Sequence, residues 1–273
     1  MAIEPISTQG SEEVNIAGMT LDSRAVEENY LFAATRGANT DGHLYIEKAI
    51  ELGATVILCE EIAALKEGVT YIVVANVAES LGLLASEYYD NPSRNLSLIG
   101  VTGTNGKTSI ATLLYQCFMN LGHKCGLLST IKYSIAGTDT VSTHTTPNSV
   151  RINELLAEMV DAGCEYAFME VSSHALHQSR TTGLEFEGAV FTNITHDHLD
   201  YHTDFREYLY TKKRLFDGLS LDAFALVNKD DKNGATMVQN TKATKYTYSL
   251  KSVSDFKTKV IESDFDGMLL DIS

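Results

Sequence analysis

The sequence predicts an α/β protein: an N-terminal α/β domain, then a phosphate-loop domain with a mainly parallel sheet and helices on both faces. Three observations predict it. From Leu96 onward, strands that are apolar throughout alternate with amphipathic helical segments, the pattern of strands buried on both faces. The first of those strands runs into a glycine-rich turn ending in Lys107-Thr108, at the start of a helical stripe. The breaker cluster Asp90-Asn91-Pro92-Ser93 precedes that change of pattern and places a domain boundary there, giving domains 1–92 and 93–273. A chain of 273 residues, 44% of them hydrophobic, has enough material for two buried cores.

In the first domain, Tyr30–Ala34, Thr55–Cys59 and Tyr71–Ala75 read as strands. Leu44–Leu52 and Val77–Tyr89 read as helices by their apolar spacing of three to four residues. In the second, the strands are expected at Leu96–Thr102, Gly126–Ile131, Tyr166–Val171, Ala189–Ile194 and Ala223–Val227. Helices are expected at Ser109–Leu121, Ser149–Ala162 and Phe205–Leu215. Tyr246–Ser249 is a further strand candidate, and the segment ending at Ser273 reads as a strand interrupted in progress. Ligands of such folds bind in the loops after the carboxyl ends of strands, where the informative residues fall.

Charge and cysteines narrow the function classes. Thirty-six acidic against 21 basic residues give a formal charge of −15, which repels nucleic-acid backbones and argues against sequence-independent nucleic-acid binding. No apolar run approaches membrane-spanning length and the N-terminus lacks a basic-then-apolar leader, so a soluble, cytoplasmic protein without membrane insertion is expected; a monomer is expected as well. Cys59, Cys117, Cys125 and Cys164 form no C-x-x-C pair and lie in or beside apolar stretches, as buried reduced thiols do.

The phosphate loop carries the strongest chemistry. In Gly103-Thr104-Asn105-Gly106-Lys107-Thr108-Ser109, glycines let backbone N–H groups turn toward phosphates, and the following helix start adds partial positive charge. Lys107 can reach the β/γ-phosphates of ATP, and the Thr108 hydroxyl can ligate Mg²⁺. Ile110, Leu113, Leu114, Cys117, Phe118 and Leu121 make the stripe expected to face the core. The general phosphate-loop pattern has glycine where this chain has Val101.

Two further clusters follow strands. Glu170, in Glu-Val-Ser-Ser-His, is placed to coordinate a metal, or else ends a strand while the serines cap a helix. His196, Asp197, His198, Asp200 and His202 offer zinc-like ligands, but the carboxylates beside an ATP loop favour Mg²⁺ with one imidazole; His196 and His202 read as solvated structural residues. In the next helix Phe205, Tyr208, Leu209, Lys212 and Phe216 share one stripe, which turns Lys212 inward and Lys213 and Arg214 away. An inward lysine is costly unless paired, modified or snorkelling to water.

The Gly-Thr-Asn-Gly-Lys-Thr loop resembles that of the Mur ligases and their relatives, the folylpolyglutamate synthetases. The Glu-Val-Ser-Ser-His run resembles the Mur ligases that act on UDP-N-acetylmuramoyl-L-alanyl-D-glutamate (MurE type). The resemblance runs from about Thr20 to Leu226. It implies an ATP-dependent ligase that adds the third amino acid to UDP-MurNAc-L-Ala-D-Glu through an acyl phosphate. Under it Thr108, Glu170, His198 and Lys212 would hold Mg²⁺, with Lys212 carbamylated by CO₂, and Lys107, Lys212 and His198 would be catalytic. Leu21 and Ser23, in Thr-Leu-Asp-Ser-Arg, would contact the UDP-sugar in the first domain. Thr145, Thr146, Ser172, Gln178 and Arg180 would hold the muramoyl dipeptide; read without the family, Thr145-Thr146-Pro147 is a helix start. The resemblance also implies a third, C-terminal domain that completes the ATP site and selects the free amino acid, and the chain is expected to end before it. A folylpolyglutamate synthetase-like ligase and a substrate-binding fragment without turnover are the alternatives.

Overall fold

The computed structural model describes residues 3–11, 13–37, 40–195, 201–264 and 267–273. The chain divides into two compact units: Met1–Asn91 with Asn148–Glu154 and Gln178–Leu184, and Pro92–Pro147 with Leu155–His177 and Glu185–Ser273.

In chain order the first unit contains β1 (Ser7–Gln9), β2 (Gly18–Thr20), β3 (Tyr30–Ala33), α1 (Ile46–Glu51), β4 (Ala54–Cys59), β5 (Thr70–Val73) and α2 (Val77–Tyr88). Its five-stranded sheet has the order β1-β5-β4-β3-β2, parallel except for β1. Leu31, Ala33, Val56 and Leu58 point to one face with Val77, Leu81 and Ala85 of α2, and Phe32, Ile57 and Tyr71 point to the other with Ile46 and Ala49 of α1. Period-2 alternation thus fills both faces. The helix expected at Leu44–Leu52 is a 3₁₀ turn at Gly42–Tyr45 followed by the shorter α1, because Asp41 caps the 3₁₀ turn through the His43 N–H.

The second unit contains β6 (Ser97–Thr102), α3 (Lys107–Asn120), β7 (Cys125–Leu128), β8 (Lys132–Ile135), β9 (Thr138–Val141), α4 (Ser149–Asp161), whose first turns belong to the other unit, β10 (Tyr166–Glu170), α5 (Ser173–His177), β11 (Gly188–Phe191), α6 (Phe205–Asp217), β12 (Phe224–Asn228), α7 (Gly234–Met237), β13 (Thr244–Ser249), β14 (Phe256–Ser263) and β15 (Met268–Ile272). The sheet order is β15-β14-β13-β12-β11-β6-β10-β7-β8-β9. Strands β7, β10, β6, β11, β12, β13 and β14 pair in parallel, and hairpins β7-β8-β9 and β14-β15 add the antiparallel edges. The mainly parallel sheet is as the sequence predicts. The segment Met268–Ile272 forms β15, a strand paired along its length with β14, as the strand pattern there predicts.

Four side-chain expectations are corrected. On α3 only Ala111 and Tyr115 are fully buried, while Leu113 and Leu121 are 62% and 69% exposed. Ile110, Leu114 and Phe118 do lie against the sheet, lining an apolar groove of about 330 Å³ with Leu226 and Tyr248. The stripe is rotated because small Ala111 lets the helix approach the sheet and Tyr115 fills the gap, which a scale of hydrophobicity alone does not weigh. Cys117 is accordingly exposed, unlike Cys59, Cys125 and Cys164. Burial pushes the Cys59 and Cys125 thiols up to about 11. Lys213 does not point away: it is buried and ion-paired with Asp217 one turn on, whereas Arg214 is exposed as predicted. His202 is buried rather than solvated, packed at 5.2 Å from the Tyr208 ring. No helix among the described residues is long and apolar enough to cross a membrane.

Candidate active site

The phosphate loop joins β6 to α3, and its shape follows from its residues. Gly103 (φ +148°) and Gly106 (φ +86°) hold conformations that residues with a Cβ rarely adopt. A Cβ on Gly103 would also collide with the Thr192 hydroxyl and the Asn193 backbone. Val101 needs no such freedom, since it is a fully buried residue inside β6. Helix α3 opens at Lys107, two residues before the predicted Ser109, so Lys107, Thr108 and Ser109 form the first turn with its unpaired N–H groups.

The loop is braced from the segment after β11. The Thr104 N–H donates to Asn193 O at 2.8 Å, the Asn105 N–H to Asn193 Oδ1 at 3.1 Å, and the Thr192 hydroxyl to Asn105 O at 2.6 Å. Asn105 and Gly106 at the tip are exposed. Two lysines converge on one carbonyl: Lys107 Nζ donates to Gly103 O at 3.0 Å and to Thr104 O at 2.8 Å, and Lys212 Nζ donates to Gly103 O at 2.9 Å. Lys212 is 1% exposed on the inward face of α6, as its spacing predicts. Its ammonium lies 4.7 Å from the centre of the Tyr208 ring, a cation–π distance, and the Tyr208 hydroxyl meets the Thr104 hydroxyl at 3.1 Å. Helix α6 starts cleanly because Asp204 caps it at the Glu207 N–H.

Beside the loop, Glu170 ends β10 with no exposed surface. Thr108 Oγ1 donates to its Oε2 at 2.9 Å, Thr130 N–H to its Oε1 at 2.7 Å, and Thr130 Oγ1 reaches Oε2 at 3.2 Å. Glu170 makes no ion pair among the described residues. A buried carboxylate held only by neutral donors, with a threonine hydroxyl on the same oxygen, suits a hard divalent cation such as Mg²⁺. His198, predicted as a further metal ligand, lies outside the described residues with His196, Asp197 and Asp200. Among the described residues no group of three His, Cys, Asp or Glu side chains is gathered for a metal, so oxygen from hydroxyls, phosphates and water has to complete the set.

Thr145, Thr146 and Ser172 join this cluster. Thr146 Oγ1 donates to Glu170 O at 2.8 Å and receives the Ser172 N–H at 3.1 Å, and Thr145 Oγ1 lies 3.1 Å from Thr130 Oγ1. Thr145 is half-buried and Thr146 fully buried, so Thr145 is the one of the pair with surface to offer.

Comparison with known proteins gives the family of the chain. The Mur ligase middle domain matches residues 101–273, and the Mur ligase family catalytic domain matches residues 15–89.

This chain belongs to the Mur ligase family.

Its similarity to the UDP-N-acetylmuramoyl-L-alanyl-D-glutamate–2,6-diaminopimelate ligase of Bacteroides fragilis is 53% identity over the whole chain and 56% of that relative. The same-named ligase of Parabacteroides distasonis is 53% identical over 97% of the chain and 55% of its own length. The chain thus spans a little over half of the curated relatives it matches. A solved UDP-N-acetylmuramoyl-L-alanyl-D-glutamate–2,6-diaminopimelate ligase superposes with a TM-score of 0.81 at 27% identity, covering 94% of this chain and 53% of that one. A Mur ligase from Thermotoga maritima solved with ADP (MurF) shares the fold at a TM-score of 0.60 and 20% identity, covering 93% and 57%.

The remaining predicted residues of this Mur ligase fall in its first unit. Ser23 is buried and opens a 3₁₀ turn whose cap, Asp22, accepts from the Arg24 N–H at 2.9 Å and ion-pairs with the Arg24 side chain. The Arg24 contact holds the Asp22 carboxyl down to about 2. Leu21 packs beside the core around Leu31 and Leu81. Arg180 donates to Gln178 Oε1 through both Nε at 3.0 Å and Nη2 at 2.6 Å, so these two act as one group. Sequence reasoning missed Thr130, Asn193 and the Tyr208 hydroxyl. Thr130 and Asn193 lie just past the carboxyl ends of β7 and β11, where a search of every post-strand loop for hydroxyl and amide side chains would have found them.

Proposed function

We propose that this chain carries the nucleotide and acceptor sites of an ATP-dependent ligase that joins diaminopimelate to UDP-MurNAc-L-Ala-D-Glu in cell-wall synthesis. The observation that carries the reading is the cluster of Thr108, Glu170 and Thr145 beside a loop whose Gly103 carbonyl takes two lysines. The 51–53% identity to curated relatives named for that reaction supports the choice of substrate.

In this reading the α3 N-terminus and the Gly103–Lys107 amides bind the phosphates. Lys107 swings from the Gly103 and Thr104 carbonyls to the β/γ-phosphates, exchanging two neutral acceptors for anionic ones. The D-glutamyl carboxylate attacks the γ-phosphorus, forming an O–P bond as the bond to ADP breaks. The diaminopimelate amine then attacks the acyl carbon, expels phosphate and gives up a proton. Thr108, Glu170, His198 and a carbamylated Lys212 would hold Mg²⁺, which offsets charge on the transferring group. Carbamylation leaves Lys212 one N–H, which can keep the bond to Gly103 O. Leu21, Ser23, Ser172, Gln178 and Arg180 would hold the UDP-sugar dipeptide. The reading also takes the protein to be a cytoplasmic monomer.

The test supplies UDP-MurNAc-L-Ala-D-Glu, MgATP and diaminopimelate to this chain and to a chain of the relatives' full length. Phosphate release that needs all three supports the ligase, in the longer chain if not in both. Release that follows a folate acceptor, or that needs no acceptor, rejects it. A ¹³C carbamate resonance from ¹³C-bicarbonate, lost in Lys212→Ala, tests the modification separately.

A further inference from the structure

Thr130 has a single hydroxyl proton and two neighbours that want it. Its Oγ1 lies 3.2 Å from Glu170 Oε2 and 3.1 Å from Thr145 Oγ1. A threonine hydroxyl donates once, so it bonds one of the two as donor and meets the other only as acceptor. With Glu170 anionic and buried, the carboxylate is the stronger acceptor, and the proton points there. Thr145 Oγ1, which stands as acceptor toward the Thr130 hydroxyl, then goes without that proton. The Thr130 N–H, at 2.7 Å, fixes the other carboxylate oxygen and keeps Glu170 from rotating.

Glu170 Oε2 is also the oxygen that takes the Thr108 hydroxyl. Once Thr108 Oγ1 and Glu170 Oε2 direct their lone pairs to a shared cation, Oε2 becomes a poorer acceptor. The Thr130 proton is then better placed on Thr145 Oγ1, and a Thr145 held by that bond through its lone pair presents its own proton outward, toward an acceptor anion. All four groups lie in one compact unit: Glu170 and Thr130 at the ends of adjacent parallel strands, Thr108 in the first turn of α3 and Thr145 in the segment before α4.

We propose that Thr130 is a positioning residue that couples the two halves of the site: the state of Glu170 sets, through one reorienting hydroxyl, whether Thr130 holds Thr145 in the orientation that donates to the acceptor. This rests on the reading above that Glu170 faces Mg²⁺-nucleotide and Thr145 faces the muramoyl dipeptide. By reciprocity, each ligand then tightens the other.

The experiment is isothermal titration of ADP with and without MgCl₂, and with and without saturating UDP-MurNAc-L-Ala-D-Glu, for the wild-type chain, Thr130→Val and Thr130→Ser. Valine keeps the volume and the N–H to Glu170 but removes the hydroxyl; serine restores it. In the wild type the dipeptide is expected to tighten Mg-ADP about fivefold, the lower end of usual coupling, and to leave metal-free ADP unchanged. Thr130→Val should bring the factor to about one while Mg-free ADP affinity stays the same, and Thr130→Ser should recover it. A purely structural threonine would shift every affinity alike or shift none. A wild-type chain that binds both ligands without coupling overturns the inference and leaves the reading intact, as does coupling that survives in Thr130→Val. A wild-type chain that binds neither ligand overturns the reading and the inference with it. Should the valine variant not fold, Thr130→Ala measured the same way carries the test.

Discussion

Helices α3 and α6 each deliver a lysine to the Gly103 carbonyl, yet they are held in opposite ways. Helix α3 buries two of its side chains fully and leaves Leu113, Cys117 and Leu121 in the open, whereas α6 buries seven, two of them lysines. Lys107 reaches carbonyls three and four residues back, so its place is set by the loop it ends; Lys212 reaches across 109 residues of sequence. One lysine is held by local geometry and stays half-exposed. The other is held by packing and is sealed. The difference teaches that a partly exposed charge and a sealed charge have been supplied to one carbonyl by two routes.

The largest expected effect separates the two routes by function. Lys107→Ala should lower acceptor-dependent phosphate release in a full-length ligase by about 100-fold or more while barely moving the unfolding midpoint, because the side chain is only partly buried and Gly103 O keeps its bond from Lys212. A comparable loss of stability would make Lys107 a structural residue. Next, Phe216→Ala in α6 should cost about 4 kcal/mol in urea unfolding, the usual penalty for emptying a buried aromatic site, while Leu113→Ala in α3 should stay within about 0.5 kcal/mol. Equal penalties would erase the contrast. Tyr208→Phe keeps the ring beside Lys212 and removes only the hydroxyl that meets Thr104, so it should cost about 1 kcal/mol. A neutral result would mean that the Thr195 N–H, which also reaches Thr104 Oγ1 at 3.0 Å, suffices.

The smallest effect is chemical. A thiol reagent at pH 8 should titrate Cys117 alone in the folded chain and all four cysteines in denaturant. Cys59 and Cys125, at about 11, keep their protons there. Since a raised thiol value means the fold opposes ionisation, their contribution is complete below the ordinary thiol range. It is lost as pH climbs from that range through about 11.

Much of the site was legible. The phosphate loop, Lys107 and Thr108 follow from a strand, two glycines and a helix start, all within a dozen residues. Lys212 was legible because α6 is buried on so broad an arc that a simple 3.6-residue stripe caught its inward face, though that arc also took in Lys213 against expectation. The same logic held only in part on α3, where Ala111 and Tyr115 take the centre of the buried face and Leu113 and Leu121 are left exposed. Thr130 and Asn193 carried no local signal, since a threonine or asparagine after a strand is ordinary until its partner is known.

The amino-acid order alone determined the alternation of strand and helix, the glycine-rich turn before α3 and the inward lysine. Each depends on neighbours within a few residues, and periodicity and glycine conformation express them directly. Only the tertiary structure decided that Glu170, Thr130 and Thr145 meet, and that two lysines share one carbonyl. Those contacts depend on parallel register, which brings the carboxyl ends of β7, β10, β6 and β11 to one edge of the sheet. Register is a property of the assembled strands that no single stretch of the chain contains.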